Sequence, residues 1–280
     1  MDDAEVPPQP THPPAAPAPP PPIGPGRRRT RPALVAGVLA GALVLALALV
    51  HVARSGSGSG GDGGTGRQLA RPAAGAGDFR AQAAGLVVLD GVSGRVQVTA
   101  DPDARTVSGG FRRQDGEFAA LRGTVARDPA SGGEALTLRC EDAAGTGQPC
   151  AGDLDLTVPA STGLRLRQTS GETALTGLGG DLSVDAASVR LTMSGLHPAH
   201  AAVTVASGSA DLGFAAAPAD LDLHAVSASV ALLLPPARGG YAVTTAASSA
   251  SVQVAVERDA ASAHRVALTV TSGSLSVRNS

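Results

Sequence analysis

The sequence predicts an all-β domain of stacked short-strand repeats, a β-solenoid or an elongated two-sheet stack, following a single N-terminal transmembrane helix. Three observations predict it. An uncharged apolar segment runs from Pro32 to Ala53, apolar residues alternate with a period of two beyond about Leu86, and a Ser-centred turn recurs about every twenty residues.

The chain opens on a Pro- and Ala-rich stretch, residues 1–31, that includes the run Pro19 to Pro22 and ends in Arg27, Arg28, Arg29 and Arg31. It lacks the aliphatic pattern needed to bury a core and reads as a disordered cytoplasmic tail. Pro10-Thr-His-Pro13 fits the loose P-x-x-P form of a polyproline ligand, but a tract this rich in proline produces such matches by composition alone.

Residues 32–53 follow, with only Ala, Leu, Val and Gly from Ala33 to Val50. As a helix this segment reaches about 30 Å, the hydrocarbon thickness of a bilayer. Four arginines precede it and Arg54 follows it, so the positive-inside tendency places the N-terminus in the cytoplasm and the C-terminal domain outside the cell, anchored in the cell membrane. A cleaved signal peptide fits less well, because its apolar region is normally shorter and the residues around His51 to Ala53 make a poor cleavage site. No Cys lies near the segment to carry an acyl anchor. Residues 54–76 contain SGSGSGGDGGTG, a Gly/Ser coil that suits a tether better than a rigid signal-transmitting rod.

The remaining residues, 77–280, form the predicted extracellular domain. Aromatic residues make up 2% of the chain, with no Trp, one Tyr and four Phe, so its core must be Val, Leu and Ala. Such residues fill thin, layered interiors. Leu164 and Leu166 alternate with Arg165 and Arg167; Val189, Leu191 and Met193 alternate with Arg190 and Thr192; Val252, Val254 and Val256 alternate with Gln253 and Ala255. Gly179-Gly180, Pro235-Pro236 and Gly239-Gly240 turn the chain between such runs.

Ser170-Gly171, Ser188, Ser207-Gly208, Ser227-Ala228, Ser249 and Ser272-Gly273 mark the repeat, with spacings of 18, 19, 20, 22 and 23 residues between successive serines. Gly171, Gly208 and Gly273 would permit positive φ in the turn, and the copies that carry Ala or Ser instead should avoid it. Regular recurrence makes these serines structural; a nucleophile needs a base and an orienting group, not six copies. A unit of about twenty residues cannot bury its own apolar face, so neighbouring units must stack. Residues 86–158 repeat less cleanly, with one copy at Ser93-Gly94 and turns at Asp101-Pro102-Asp103 and Asp128-Pro129, and read as an N-terminal cap.

The pattern [VL]-x-V-x-S-G-x-[AL]-x-[LV], present from Val203 to Leu212 and from Leu268 to Val277, resembles that of the bacterial adhesin-like β-strand-repeat proteins, over about residues 85–280. It also resembles the related toast-rack domains of envelope-stress proteins. The resemblance implies stacked β-repeats behind a membrane helix and no catalytic site. Ser227-Ala228 and Ser248-Ser249 depart from the pattern by lacking the turn glycine.

Cys140 and Cys150 flank a short loop between strand-like runs and are expected to form a hairpin disulfide; their spacing matches no familiar metal pair. His197 and His200 lie in a Leu-His-Pro-Ala-His loop with His224 about one repeat later, but Pro198 removes helical geometry and no Cys joins them. Solvated histidines are the plainer reading, and no metal or cofactor is expected. Asp153 and Asp155, like Asp220 and Asp222, should line a solvent-facing strand surface.

All 22 basic residues are Arg, a bias of GC-rich genomes that suggests an actinobacterial source. The absence of Lys excludes a P-loop, a Schiff-base nucleophile and a Ser-x-x-Lys acyl-enzyme. A formal net charge of −2 gives no basic face for nucleic acid. The expected function is therefore non-catalytic binding or display, with a wall polymer or another envelope protein as partner; the alternative is an envelope-stress accessory that binds a membrane or sensor protein. An extracellular hydrolase is disfavoured.

Overall fold

A computed structural model describes residues 78–141 and 147–280. The predicted tail, transmembrane helix and linker lie outside the described residues. Among the described residues no helix is long and apolar enough to cross a membrane.

Among the described residues all the regular structure is β. In chain order the strands are β1 (Asp78–Gln82), β2 (Leu86–Asp101), β3 (Thr106–Arg113), β4 (Phe118–Ala119), β5 (Leu121–Arg127), β6 (Glu134–Glu141), β7 (Gly147–Gln148) and β8 (Ala151–Pro159). They continue as β9 (Gly163–Thr176), β10 (Leu182–Leu196), β11 (His200–Phe214), β12 (Asp220–Leu234), β13 (Ala242–Ala255) and β14 (Arg265–Asn279). The main path of the sheet runs β1-β3-β8-β2-β9-β10-β11-β12-β14-β13.

From β2 through β13 the long strands pair in parallel and in register. Each is bent at its serine. Ser93, Ser170, Ser188, Ser207, Ser227, Ser272 and Ser249 occupy one column, each opposite the next. On either side of that corner alternate residues are buried, as in β11, where Ala201, Val203 and Val205 precede the corner and Ala210, Leu212 and Phe214 follow it. These buried residues form one cluster with no helix among the described residues to cover them, so the two halves of each strand pack face to face. Each repeat is one coil of a two-layered parallel stack. The interior consists of aliphatic columns, for instance Leu166, Val184, Val203, Leu223 and Leu268, all nearly inaccessible.

The corner is where glycine matters. Gly94, Gly171, Gly208 and Gly273 have φ of 98°, 114°, 109° and 107°, whereas no described non-Gly residue has positive φ. A Cβ at Gly171 would lie 1.9 Å from the Gly94 carbonyl oxygen, and one at Gly273 would lie 2.1 Å from that of Ala228. In spatial order the corner residues after the serines are Gly94, Gly171, Val189, Gly208, Ala228, Gly273 and Ala250. From Gly171 onward a glycine alternates with a residue that carries a Cβ, so no two Cβ-bearing corners are neighbours.

That alternation bears on a feature the repeat spacing does not predict. The last strand, β14, lies between β12 and β13, so spatial order departs from chain order at the C-terminal end. Sequential stacking would have set the Ala228 and Ala250 corners against each other; the inserted Gly273 separates them. Tyr241, 1% exposed, anchors the crossover by donating its hydroxyl to the Pro235 carbonyl at 2.6 Å, and its ring lies 5.9 Å from that of His264. Desolvation raises the pKa of its phenol.

At the other end antiparallel strands close the stack. β3 pairs with β8 and β1, and β5 pairs with β6, which itself extends the first half of β2. Cys140 and Cys150 are joined in a disulfide here, with Cα atoms 5.0 Å apart and both side chains buried.

Candidate ligand-binding groove

A concavity of about 1110 Å³ runs across the beginnings of the long strands on the outer face of the first half-sheet. Register builds it. His200, Asp220, Arg265 and Ala242 stand side by side at the first paired position of β11, β12, β14 and β13. Two residues further along, Arg165, Ser183, Ala202, Asp222, Ala267 and Thr244 form a second row that spans β9 to β13. Because Cβ atoms alternate between faces, this row points away from the aliphatic interior. Ser183, Ala202, Ala267 and Thr244 are small, and their shortness makes the floor.

Two ion-paired clusters frame the floor. At one side Arg265 donates from Nε and Nη2 to the two oxygens of Asp220 at 2.5 and 3.0 Å, and His200 Nδ1 lies 3.3 Å from Asp220 Oδ2. The Arg265 hydrogen bond, with smaller help from His200, lowers the pKa of Asp220, and Asp220 in turn raises that of Arg265. At the other side Arg165 makes a forked contact with Asp128, at 2.9 and 3.2 Å, while Ser131 donates to Asp128 Oδ2 from both its amide, at 2.9 Å, and its hydroxyl, at 2.8 Å. Asp128 sits in the surface loop between β5 and β6, yet its side chain is 4% exposed because these donors cover it. They hold its carboxyl far below the usual carboxylate range, Arg165 foremost and Ser131 next. Asp181 and Asp222, also in the groove wall, have no ion-pair partner among the described residues. Both arginines are therefore neutralised internally while three carboxylates, those of Glu134, Asp181 and Asp222, remain available, and the groove is acidic.

No family model and no curated protein matches this chain. One solved structure is similar. It is the crystal structure of a putative cell adhesion protein from Clostridium sporogenes ATCC 15579, with a TM-score of 0.45 and 8% sequence identity, covering 72% of this chain and 99% of that one.

Ser170, Gly171, Ser207, Gly208, Ser272 and Gly273 all lie at the corner, on the edge away from the groove floor. There the Ser188 and Ser207 hydroxyls are 3.1 Å apart, as are those of Ser227 and Ser272, and Ser207 and Ser272 each donate to a carbonyl of the neighbouring strand. The histidines are dispersed: His197 Nδ1 lies 3.1 Å from the Gly195 carbonyl, His200 pairs with Asp220, and His224 stands between Thr204 and Thr269 in another row. No cluster of three or more His, Cys, Asp or Glu side chains suited to a metal occurs among the described residues. Asp153, Asp155 and Asp222 are exposed, whereas Asp220 is held in its ion-paired cluster.

Sequence reasoning missed both framing clusters. The Arg265–Asp220 contact joins residues 45 apart and exists because β14 lies beside β12; the Arg165–Asp128 contact joins residues 37 apart through the cap. A repeat alignment could have exposed the first only if the inverted strand order had been recognised. Nothing in the sequence pattern marks the second.

Proposed function

We propose that this chain is a membrane-anchored, extracytoplasmic β-repeat module for binding or display, adhesin-like and non-catalytic, whose groove holds an extended polymer of the cell envelope. The observation that carries the reading is the groove itself. It crosses six neighbouring strands, β9, β10, β11, β12, β14 and β13, so it offers a ligand about 24 Å of continuous track at the usual strand spacing. An elongated chain fits such a track better than a compact substrate does.

The lining narrows the ligand chemistry. None of its residues is Phe, Tyr or Trp, so no broad ring is available to stack on a sugar face, and recognition comes from hydrogen bonds to Ser183, Thr244 and the carboxylates. With Asp181 and Asp222 unpaired, a polymer bearing amino groups alongside hydroxyls is favoured over a polyphosphate. The arrangement offers fixed charge and hydrogen bonding. His200 engages Asp220 rather than a serine hydroxyl, which gives no activated nucleophile at this site. Anchoring follows from the apolar segment at residues 32–53, with the N-terminus cytoplasmic and the β domain outside.

Two measurements on cells producing the full chain with a C-terminal tag test the proposal. The chain should fractionate with membranes, and protease added to intact cells should remove the tag. Detergent-solubilised chain should co-sediment with purified cell-wall material, and the Asp181→Asn/Asp222→Asn pair should lower the bound fraction several-fold. A soluble or protease-protected chain would overturn the anchored reading, and equal sedimentation of both forms would overturn the groove. Crosslinking to one envelope protein with no wall polymer retained would replace it with the envelope-stress accessory role.

A further inference from the structure

The two ends of the stack differ. At the capped end the outermost strand is β1, with five residues, exposed Arg80 and exposed Gln82. Short, charged edges resist pairing with other chains. At the other end the outermost strand is β13, with fourteen residues, Ala242–Ala255, and no charged residue and no proline among them. Its backbone is paired on one side with β14. The segment Glu257–Asp259 crosses the other side at Tyr241, where the Tyr241 amide donates to Glu257 and the Asp259 amide donates back. From Val243 onward no strand covers that side among the described residues.

The interior is also unfinished there. Val266, Leu268, Val270, Leu275 and Val277 of β14 are each 1% exposed. Their neighbours in β13 are half-buried Val243, exposed Thr245 and Ala247, and half-buried Val252 and Val254. The columns that run through the stack thus end on open apolar or neutral side chains, the arrangement expected where one more coil would fit.

We infer that a second copy of this chain supplies that coil, with β13 pairing antiparallel to β13 of its twin about a two-fold axis through the Ser249–Ala250 corner. The residues select this occupant. The inward positions of β13, continued through Val256, are symmetric about the corner: Val243 with Val256, Thr245 with Val254, and Ala247 with Val252. A two-fold axis therefore sets each inward residue of one copy beside an inward residue of the other, and exchanges the first half-sheet of one with the second half-sheet of its twin. Both interiors become continuous. Head-to-tail stacking would instead set β13 against β1, which is short and charged and gives no matching columns. Since β1 and β13 lie at opposite ends of the sheet, the twin chains enter the joined stack at its two far ends.

This inference does not depend on the groove or on the ligand. It is tested on the full chain in mild detergent by light scattering across a dilution series, after subtraction of bound detergent. The protein mass should be twice the 27.4 kDa of one chain and fall towards one chain on dilution. Thr245→Lys, which adds a charge at an exposed position, should give a monomer whose thermal midpoint matches that of the wild type diluted to monomer. Should that variant fail to fold, crosslinking decides: with both native cysteines bonded, Ala250→Cys adds a lone thiol beside the axis and should give a covalent dimer on mild oxidation, whereas Ser274→Cys on the side of the stack should not. A monomer at every concentration, a Thr245→Lys variant that still dimerises, or equal crosslinking at both positions would overturn the inference; constant monomer mass would leave the edge for a strand of another protein.

Discussion

At the scale of single residues, most of the local constraint sits at the corner. Gly171 is required twice over, because its φ of 114° disfavours a side chain and because the Gly94 carbonyl occupies the space a Cβ would fill. Gly171→Ala should cost about 2–5 kcal/mol in chemical denaturation, combining backbone strain with overpacking. Just inside the corner, Gln168 and Thr173 are buried polar residues on opposite halves of one strand; the Thr173 hydroxyl donates to Gln168, whose amide donates to the Gly94 and Ser170 carbonyls at 2.9 and 3.1 Å. Corner glycines are legible in the sequence because turn chemistry is local. Asp128 is not, since its donors come from Arg165 across the cap and from Ser131 in its own loop. Its carboxyl titrates below the unfolded value, so the pairing stabilises the fold fully above about pH 4 and progressively less as pH falls from there towards the depressed folded value. Asp128→Asn should cost about 1–3 kcal/mol at neutral pH and flatten the acid limb of a stability–pH curve; an unchanged limb would show that the cluster does not hold the loop.

At the scale of elements, local pattern fixes the strands while their order depends on contacts between distant repeats. Period-two alternation and the recurring Ser marks predict strand, corner, strand, and each repeat forms one bent strand of fourteen or fifteen residues. The cap is harder to read because most of its strands are short and it mixes parallel with antiparallel pairing, and partners there are set by turns such as Asp128–Gly133 rather than by a repeating column. Disulfide bonding of Cys140 to Cys150 was predicted from their position flanking a loop and is present. It ties the end of β6 to the start of β8. Replacing both cysteines with serine should lower stability by about 3 kcal/mol in the chain-entropy account. Reductant should lower the wild type by the same amount and leave the double variant unaffected. Strand order at the C-terminal end was not legible, because β12, β13 and β14 carry near-equivalent apolar patterns and spacing alone suggests sequential stacking. The physical cue, a glycine corner needed between Ala228 and Ala250, becomes readable only once the corners are known to touch.

On the scale of the whole molecule, one repeated unit generates an aliphatic interior, a serine-lined corner and, across the strand beginnings, a groove framed by ion pairs. Stability in such a stack is nearly a sum over coils and their interfaces, so its ends determine how it meets other molecules. One end is closed by antiparallel strands, and the other exposes β13 because β14 folds back inside it. Fold class and core composition were legible because they depend on residue pattern alone; the groove was not, because its walls join residues from eight strands and the inverted order brings Arg265 to Asp220. The Arg265–Asp220 side of the groove and the open edge at β13 therefore both depend on that inversion. The most direct test is paired cysteine crosslinking on the outer face of the second half-sheet, where Ser274 stands opposite both Ser229 and Ser251. Neighbouring strands are within disulfide reach and next-nearest strands are not. Ser229→Cys/Ser274→Cys should close an intramolecular disulfide and Ser229→Cys/Ser251→Cys should not; the reverse result would mean sequential stacking and would contradict the account.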